Sequence, residues 1–243
     1  MSTRVSPPTI IHEHVRKAEL FSGKWQASRA ENDHDNALKY ARRMMQSAEQ
    51  SNKTSLHMDS FRFYSISLLD REEIFAACMH LLRALDLYYQ ACAPKEATVS
   101  LQYIHQTLAS AFASLHLDTP DDSSQKDPKS NFSFPGVSEE EATVWSLQHA
   151  ITAVTLASEI SSNPDIYATQ FEDPRAPRPE IDTMISQAYF ALAESLVTLG
   201  ALSLARDVLF DQKYVDTLVN MLHSTKHGRQ MKVLEILFNT NEI

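Results

Sequence analysis

The run 188–209, AYFALAESLVTLGALSLARDVL, constrains the fold more than any other stretch of this chain. Tyr189, Leu192, Ala193 and Leu196 recur at helical intervals and share one face. Gly200 then interrupts the pattern, and glycine ends helices readily because it accepts left-handed backbone angles. Leu202, Ala205, Val208 and Leu209 resume the same period. Ala193 and Ala205 are small enough for two helix backbones to approach closely. The stretch therefore predicts an antiparallel pair of helices joined by a tight turn.

The same residues resemble a tetratricopeptide repeat. That family places a large residue, a Leu-small pair three positions on, a second large residue, a turn glycine and a small residue inside the second helix. Tyr189, Leu192, Ala193, Leu196, Gly200, Leu202, Ala205 and Leu209 fill those places in order within 187–212. The likeness covers about one repeat of ~34 residues. It departs from the family at its end, where no proline closes the second helix. The resemblance implies a stacked α-α superhelix with a partner groove. The positions facing that groove would be Gln187, Phe190, Glu194 and Thr198, which lie on one side of the first helix. The competing assignment for Phe190 is the core.

The rest of the chain is compatible with an all-helical protein. Only 4 glycines occur in 243 residues, no alternating β-branched run is present, and strong helix formers are plentiful. The apolar fraction of 43% supplies a core. Charge is uneven: residues 1–116 carry 13 Lys+Arg against 12 Asp+Glu, whereas residues 117–243 carry 9 against 19. An acidic second half disfavours a general grip on nucleic-acid phosphates, so no nucleic acid is expected as partner. Cys78 and Cys92 sit among apolar residues and read as small core side chains. The N-terminus lacks the apolar core of a secretory signal. The most apolar segment, 142–160, carries Ser146, Gln148, His149, Thr152, Thr155 and Ser158 and reads as a buried helix rather than a membrane span. The expected location is cytoplasmic or nuclear.

Periodicity and end signals predict nine or ten helices in sequential antiparallel pairs, stacked as an α-α superhelix or a helical bundle. The first covers 10–30, weakened at Gly23, and Asn32, Asp33 and Asp35 offer caps for the next. Helices follow over 56–69, 74–92 and 99–115. Asp70-x-x-Glu73 and Ser138-x-x-Glu141 both have the form of capping boxes. The second box opens a helix to residue 160 whose expected buried residues are Val144, Leu147, Ile151, Val154 and Leu156. Segments 117–137 and 161–179 read as a mobile loop and a Pro-rich loop. Phe132 and Phe134 in the first are either anchors or a docking motif. Further helices are expected over 214–223 and 230–238. The segments form a single array over 9–243, with 9–116 and 138–243 as the alternative pair of subdomains.

Chemistry-bearing patterns are few. His12 and His14 flank Glu13 at a spacing of two, which puts them on different helical faces and argues against a zinc motif. His223 and His227 have i, i+4 spacing but no marked further ligand, and with Lys226 and Arg229 they suit a helix C-terminus. Asp118, Asp121 and Asp122 lack the glycine and ligand spacing of a calcium loop. Lys39, Arg42, Arg43 and the distant Arg83 form either a solvated face or a basic patch. His80, His105 and His149 lie on separate helices, so a His/carboxylate site can arise only by convergence in three dimensions. No catalytic residue, cofactor or metal site is expected. The reading is a non-catalytic interaction, scaffold or adaptor subunit that holds a peptide or helix of a protein partner within a larger assembly. An all-helical enzyme is the alternative, and a homodimer-forming helical subunit a third.

Overall fold

Left-handed turn residues punctuate the first half of the chain at positions 32, 52 and 72, one after each of three successive helices. The computed structural model describes residues 8–91, 95–117, 136–171 and 174–210, with 233, 236 and 237. Every regular element among the described residues is helical: α1 (Pro8–Ala30), α2 (His34–Glu49), α3 (Thr54–Leu69), α4 (Ile74–Gln90), α5 (Thr98–Leu117), α6 (Glu139–Ser162), α7 (Pro164–Tyr167), α8 (Arg178–Thr198) and α9 (Leu202–Phe210). Two 3-10 turns, Lys95–Ala97 and Ala168–Gln170, accompany them. The chain divides into two compact units, Met1–Ile104 and His105–Ile243. The division falls inside α5, upstream of the 117–137 segment.

In the first unit α1 packs on α2, α2 on α3, and α3 on α4. Ala18, Ala37, Ala41 and Ala48 are fully or almost fully buried at the contacts, with Met44, Trp25 and Phe63 filling the space between. Trp25 stacks on Phe63 at 4.2 Å with the rings nearly parallel. Its indole N–H donates to Ser67 Oγ at 2.8 Å, the satisfaction that a buried indole requires. Arg29 lies over the outer face of Trp25 and forks onto Asp70 at 2.8 and 3.0 Å. Asp70 is thus committed to a bidentate pair 41 residues away. That corrects the expected Asp70–Glu73 capping box: Glu73 is the N-cap of α4 and no side chain caps it. Gly23 does not break α1, which runs continuously through it. Asp33 caps α2 as expected, accepting from the Asn36 amide at 3.1 Å.

The second unit is built on α5 after Ile104, α6, α8 and α9. Ser138 and Glu141 form the expected reciprocal box at the start of α6. Pro164 opens the short helix α7, and Pro179 lies in the first turn of α8, where its missing N–H removes no helical bond. The α8–α9 hairpin turns at Gly200, with φ +79°. The Gly200 amide donates to Val197 O at 3.0 Å and the Ala201 amide to Leu196 O at 2.9 Å, a Schellman closure. Ala193, Leu196, Ala205 and Leu209 are buried between the two helices, joined by Val233 and Leu237. Leu192, Leu202 and Val208 flank that core.

The face α6 buries differs from the expected one. Ala142, Ser146, Ala150, Ala153, Ala157 and Ile160 point inward, while Val144 and Ile151 are about half exposed. Small residues win the contact because they let α6 approach its neighbours closely. Cys78 is buried and free, as expected. Cys92, Phe132, Phe134, Asp118, Asp121, Asp122, His223 and His227 lie outside the described residues, as does the helix expected over 214–223. Within 230–238, Val233, Ile236 and Leu237 are helical.

The chain's turns give a direct stability test. Glu72 holds φ +62° in a Schellman closure, its amide donating to Leu69 O and the Glu73 amide to Leu68 O, a geometry that costs a non-glycine residue about 1–2 kcal/mol. Glu72→Gly is expected to raise unfolding free energy by about 1 kcal/mol in urea titrations, and Gly200→Ala to lower it by a similar ~1 kcal/mol. A Cβ at Gly200 meets nothing within 4 Å, so the second effect is backbone strain alone.

Candidate functional site

Close helix approach in the second unit brings polar side chains into the interior, and each row across α5, α6 and α8 is a pair. Ala109, Ala150 and Ala191 make the contact. Beside them Ser146 Oγ donates to the Ala109 carbonyl at 2.9 Å, and Ser146 and Ser195 meet at 2.7 Å. Ser195 Oγ also donates to Ala191 O at 2.9 Å, and either hydroxyl can be the donor of the Ser146–Ser195 pair. On α5, Ser110 donates to Glu194 Oε2 at 2.6 Å, and Gln106 Nε2 donates to Gln187 Oε1 at 3.2 Å.

The seam includes an imidazole pair. His105 on α5 and His149 on α6 face each other with Nδ1 atoms 2.9 Å apart. At that distance one Nδ1 carries the proton and the other accepts it, so the two rings hold opposite tautomers. The Phe112 ring, fully buried, stacks parallel on His149 at 6.0 Å, and Trp145 packs edge-on against Phe112. Burial pushes both imidazoles down to about 4, and for His105 the neighbouring His149 adds to the effect. Both rings are neutral near pH 7. Two of the three histidines named from sequence thus converge. The third, His80, belongs to the first unit, where it stacks on Phe61 and meets Tyr64 edge-on.

Of the four positions that the repeat resemblance assigned to a partner groove, Phe190 and Glu194 are buried, and Gln187 and Thr198 are part-buried. Phe190 is 5% exposed and belongs to the hairpin core; Glu194 is 3% exposed and bonded to Ser110. Gln187 is engaged by Gln106, and Thr198 bonds back to Ser195 O at 2.8 Å. The chain's own α5 supplies the partners of Glu194 and Gln187. The reason is polarity: Glu194 and Gln187 on one helix match Ser110 and Gln106 on the other, a pairing across more than 80 residues that local periodicity does not reveal. Glu139, Glu140 and Glu141 sit in the first turn of α6, where negative charge is favoured. No group of three or more His, Cys, Asp or Glu side chains able to hold a metal occurs among the described residues.

No protein-family model matches the chain, and no curated protein matches it.

Two measurements test this interior. Phe190→Ala is expected to lower unfolding free energy by about 3–5 kcal/mol in chemical denaturation, the loss seen for a large buried aromatic; a change near zero would place the ring outside the core. The second concerns acid. Imidazoles held well below their unfolded value stabilise fully above about pH 6.5, and this contribution falls as pH drops toward 4, because the unfolded chain binds protons that the native one refuses. The expected loss is of the order of 3 kcal/mol per ring by pH ~4. Urea midpoints at about pH 7.5 and 4.5 should diverge strongly for the wild type and much less for the double variant His105→Gln, His149→Gln.

Proposed function

We propose that this protein is a non-catalytic interaction subunit, a scaffold or adaptor that binds a helix or extended segment of another protein. The observation that carries the reading is an inversion of side-chain placement. In the second unit the paired polar groups lie inside, while Val144 and Ile151 stand about half exposed two turns apart on the outer side of α6. In the first unit Phe75 and Met79, one turn apart on α4, are likewise about half exposed. Large apolar side chains at helical spacing on an outer face are what a partner helix buries. The likeness of 187–212 to a tetratricopeptide repeat supports the same reading, with the binding surface on outward faces rather than at Gln187, Phe190, Glu194 and Thr198.

The His105–His149 pair is the observation that speaks for an all-helical enzyme. Against it, the two rings spend their Nδ1 atoms on each other and stay neutral, which suits packing better than proton transfer near pH 7. No helix among the described residues is long and apolar enough to cross a membrane. A cytoplasmic or nuclear protein that works within an assembly fits these features.

The test uses Val144→Asp with Ile151→Asp. Circular dichroism and melting are expected to stay near wild type, since both side chains are already half in water. Complexes recovered from source extract with the wild type should lose a discrete partner with the variant. An unchanged set of partners, with folding intact, would remove α6 from the binding surface and with it the basis of the proposal.

A further inference from the structure

A second surface, on the first unit, carries cations that no carboxylate among the described residues pairs with. Lys39, Arg42 and Arg43 occupy one turn of α2 and are exposed. Together with Asp35, Leu38 and Gln46 they line a shallow hollow of about 380 Å³. Three other cations of this unit pair with carboxylates: Lys17 with Glu13, Arg29 with Asp70, and Arg71 with Asp35 and Glu73. Among the described residues the α2 cations make no such pair. Arg42 donates to Tyr64 Oη at 3.2 Å and lies over the Tyr64 ring at 5.8 Å, and Arg43 lies over Phe21 at 5.9 Å. Alongside, Lys24 lies over Tyr40 at 5.6 Å and, on α4, Arg83 over Phe61 at 5.8 Å. The carboxylates of α2 are confined to its ends. Asp35 is held by Arg71 at 2.6 Å, and Glu49 lies in the last turn.

The arrangement prepares the cations for an anion. A guanidinium resting on a ring has lost part of its rotamer freedom already, so less is lost on binding, and its N–H edge stays available to an acceptor. An unpaired positive surface in a chain of net charge −9 is complementary to carboxylates. The rings point away from nucleic acid as ligand, because the faces that would stack on bases are covered by the chain's own cations. The chain's net negative charge also opposes a long polyanion more than a short acidic segment.

We infer that the Lys39–Arg42–Arg43 face of α2, flanked by Lys24, is a docking site for a short acidic peptide segment of a partner protein. The inference rests on the interaction-subunit reading and names one partner chemistry for it. Its site is separate from Val144 and Ile151, so either test can fail alone.

The experiment uses the full chain and a fluorescein-labelled hexaglutamate peptide, followed by fluorescence anisotropy. Saturable binding is expected at low ionic strength, weakening steeply as salt is added. Lys39→Glu, Arg42→Glu, Arg43→Glu is expected to weaken it about tenfold or more, with circular dichroism unchanged. A charge-matched control on the same unit, Arg16→Glu, Lys17→Glu, Lys53→Glu, is expected to change affinity by no more than about twofold, the long-range effect of net charge alone. Absence of saturable binding, or equal losses in the two triple variants, overturns the site. Tighter binding of an unstructured oligothymidylate, lost in the first triple variant, overturns the peptide assignment in favour of single-stranded nucleic acid.

Discussion

Close approach of helices over alanine and serine is the constraint on which this structure depends. In the first unit the contact residues are Ala18, Ala37, Ala41 and Ala48; in the second they are Ala109, Ala150 and Ala191, with Ala193 and Ala205 inside the hairpin. An alanine contact buries little area per residue, so stability must come from many such contacts and from the larger groups wedged beside them. Trp25 on Phe63 and the sealed Phe112 supply that bulk. Close approach has a second consequence. Ser146 reaches the backbone carbonyl of another helix at 2.9 Å, which a leucine-spaced interface would not permit.

Polar groups drawn into such an interface must find partners, because each unpaired one costs roughly 1–3 kcal/mol. The seam meets this demand by matching like with like: Ser146 with Ser195, Gln106 with Gln187, His105 with His149. Each pair works because a hydroxyl, an amide or a neutral imidazole both donates and accepts. The imidazoles are the exception in one respect, since protonation turns both into donors and makes neighbours of two cations. The same packing that makes the pair neutral thus builds acid sensitivity into the second unit, without any need for a dedicated switch.

The sequence carries the elements better than their faces. Gly200, Asp33 and the Ser138–Glu141 box are legible because each acts on backbone groups within a few residues. The α8–α9 core is legible because its large and small apolar residues share one period. On α6 that logic misleads: hydrophobicity favours the stripe through Val144 and Ile151, while geometry favours Ala150, Ala153 and Ala157. Asp70 misleads for the opposite reason, since a local cap competes with a bidentate arginine from α1 and the stronger, charge-assisted pair wins. Glu194 looks like a surface residue by type, and only the serine opposite it on α5 explains its burial. The left-handed Glu72 leaves no mark at all, because nothing in its identity favours φ above zero.

The basic face shows where a composition argument stops and geometry begins. Counted by residue, the first half of the chain is nearly neutral, and neutrality hides how the charges are spent. Glu13, Asp35, Asp70 and Glu73 are spent on Lys17, Arg29 and Arg71, while Arg42 and Arg43 on α2 settle on rings. A ring quadrupole attracts a cation without discharging it, so the positive field of Lys39, Arg42 and Arg43 persists outward where a carboxylate partner would have cancelled it. A cation–π contact at an exposed site is itself worth about 0.5–1 kcal/mol, which offsets part of the cost of anchoring two of the three. Anchoring costs rotamer entropy, which a hydrated cation keeps and a binding site has reason to give up before its ligand arrives.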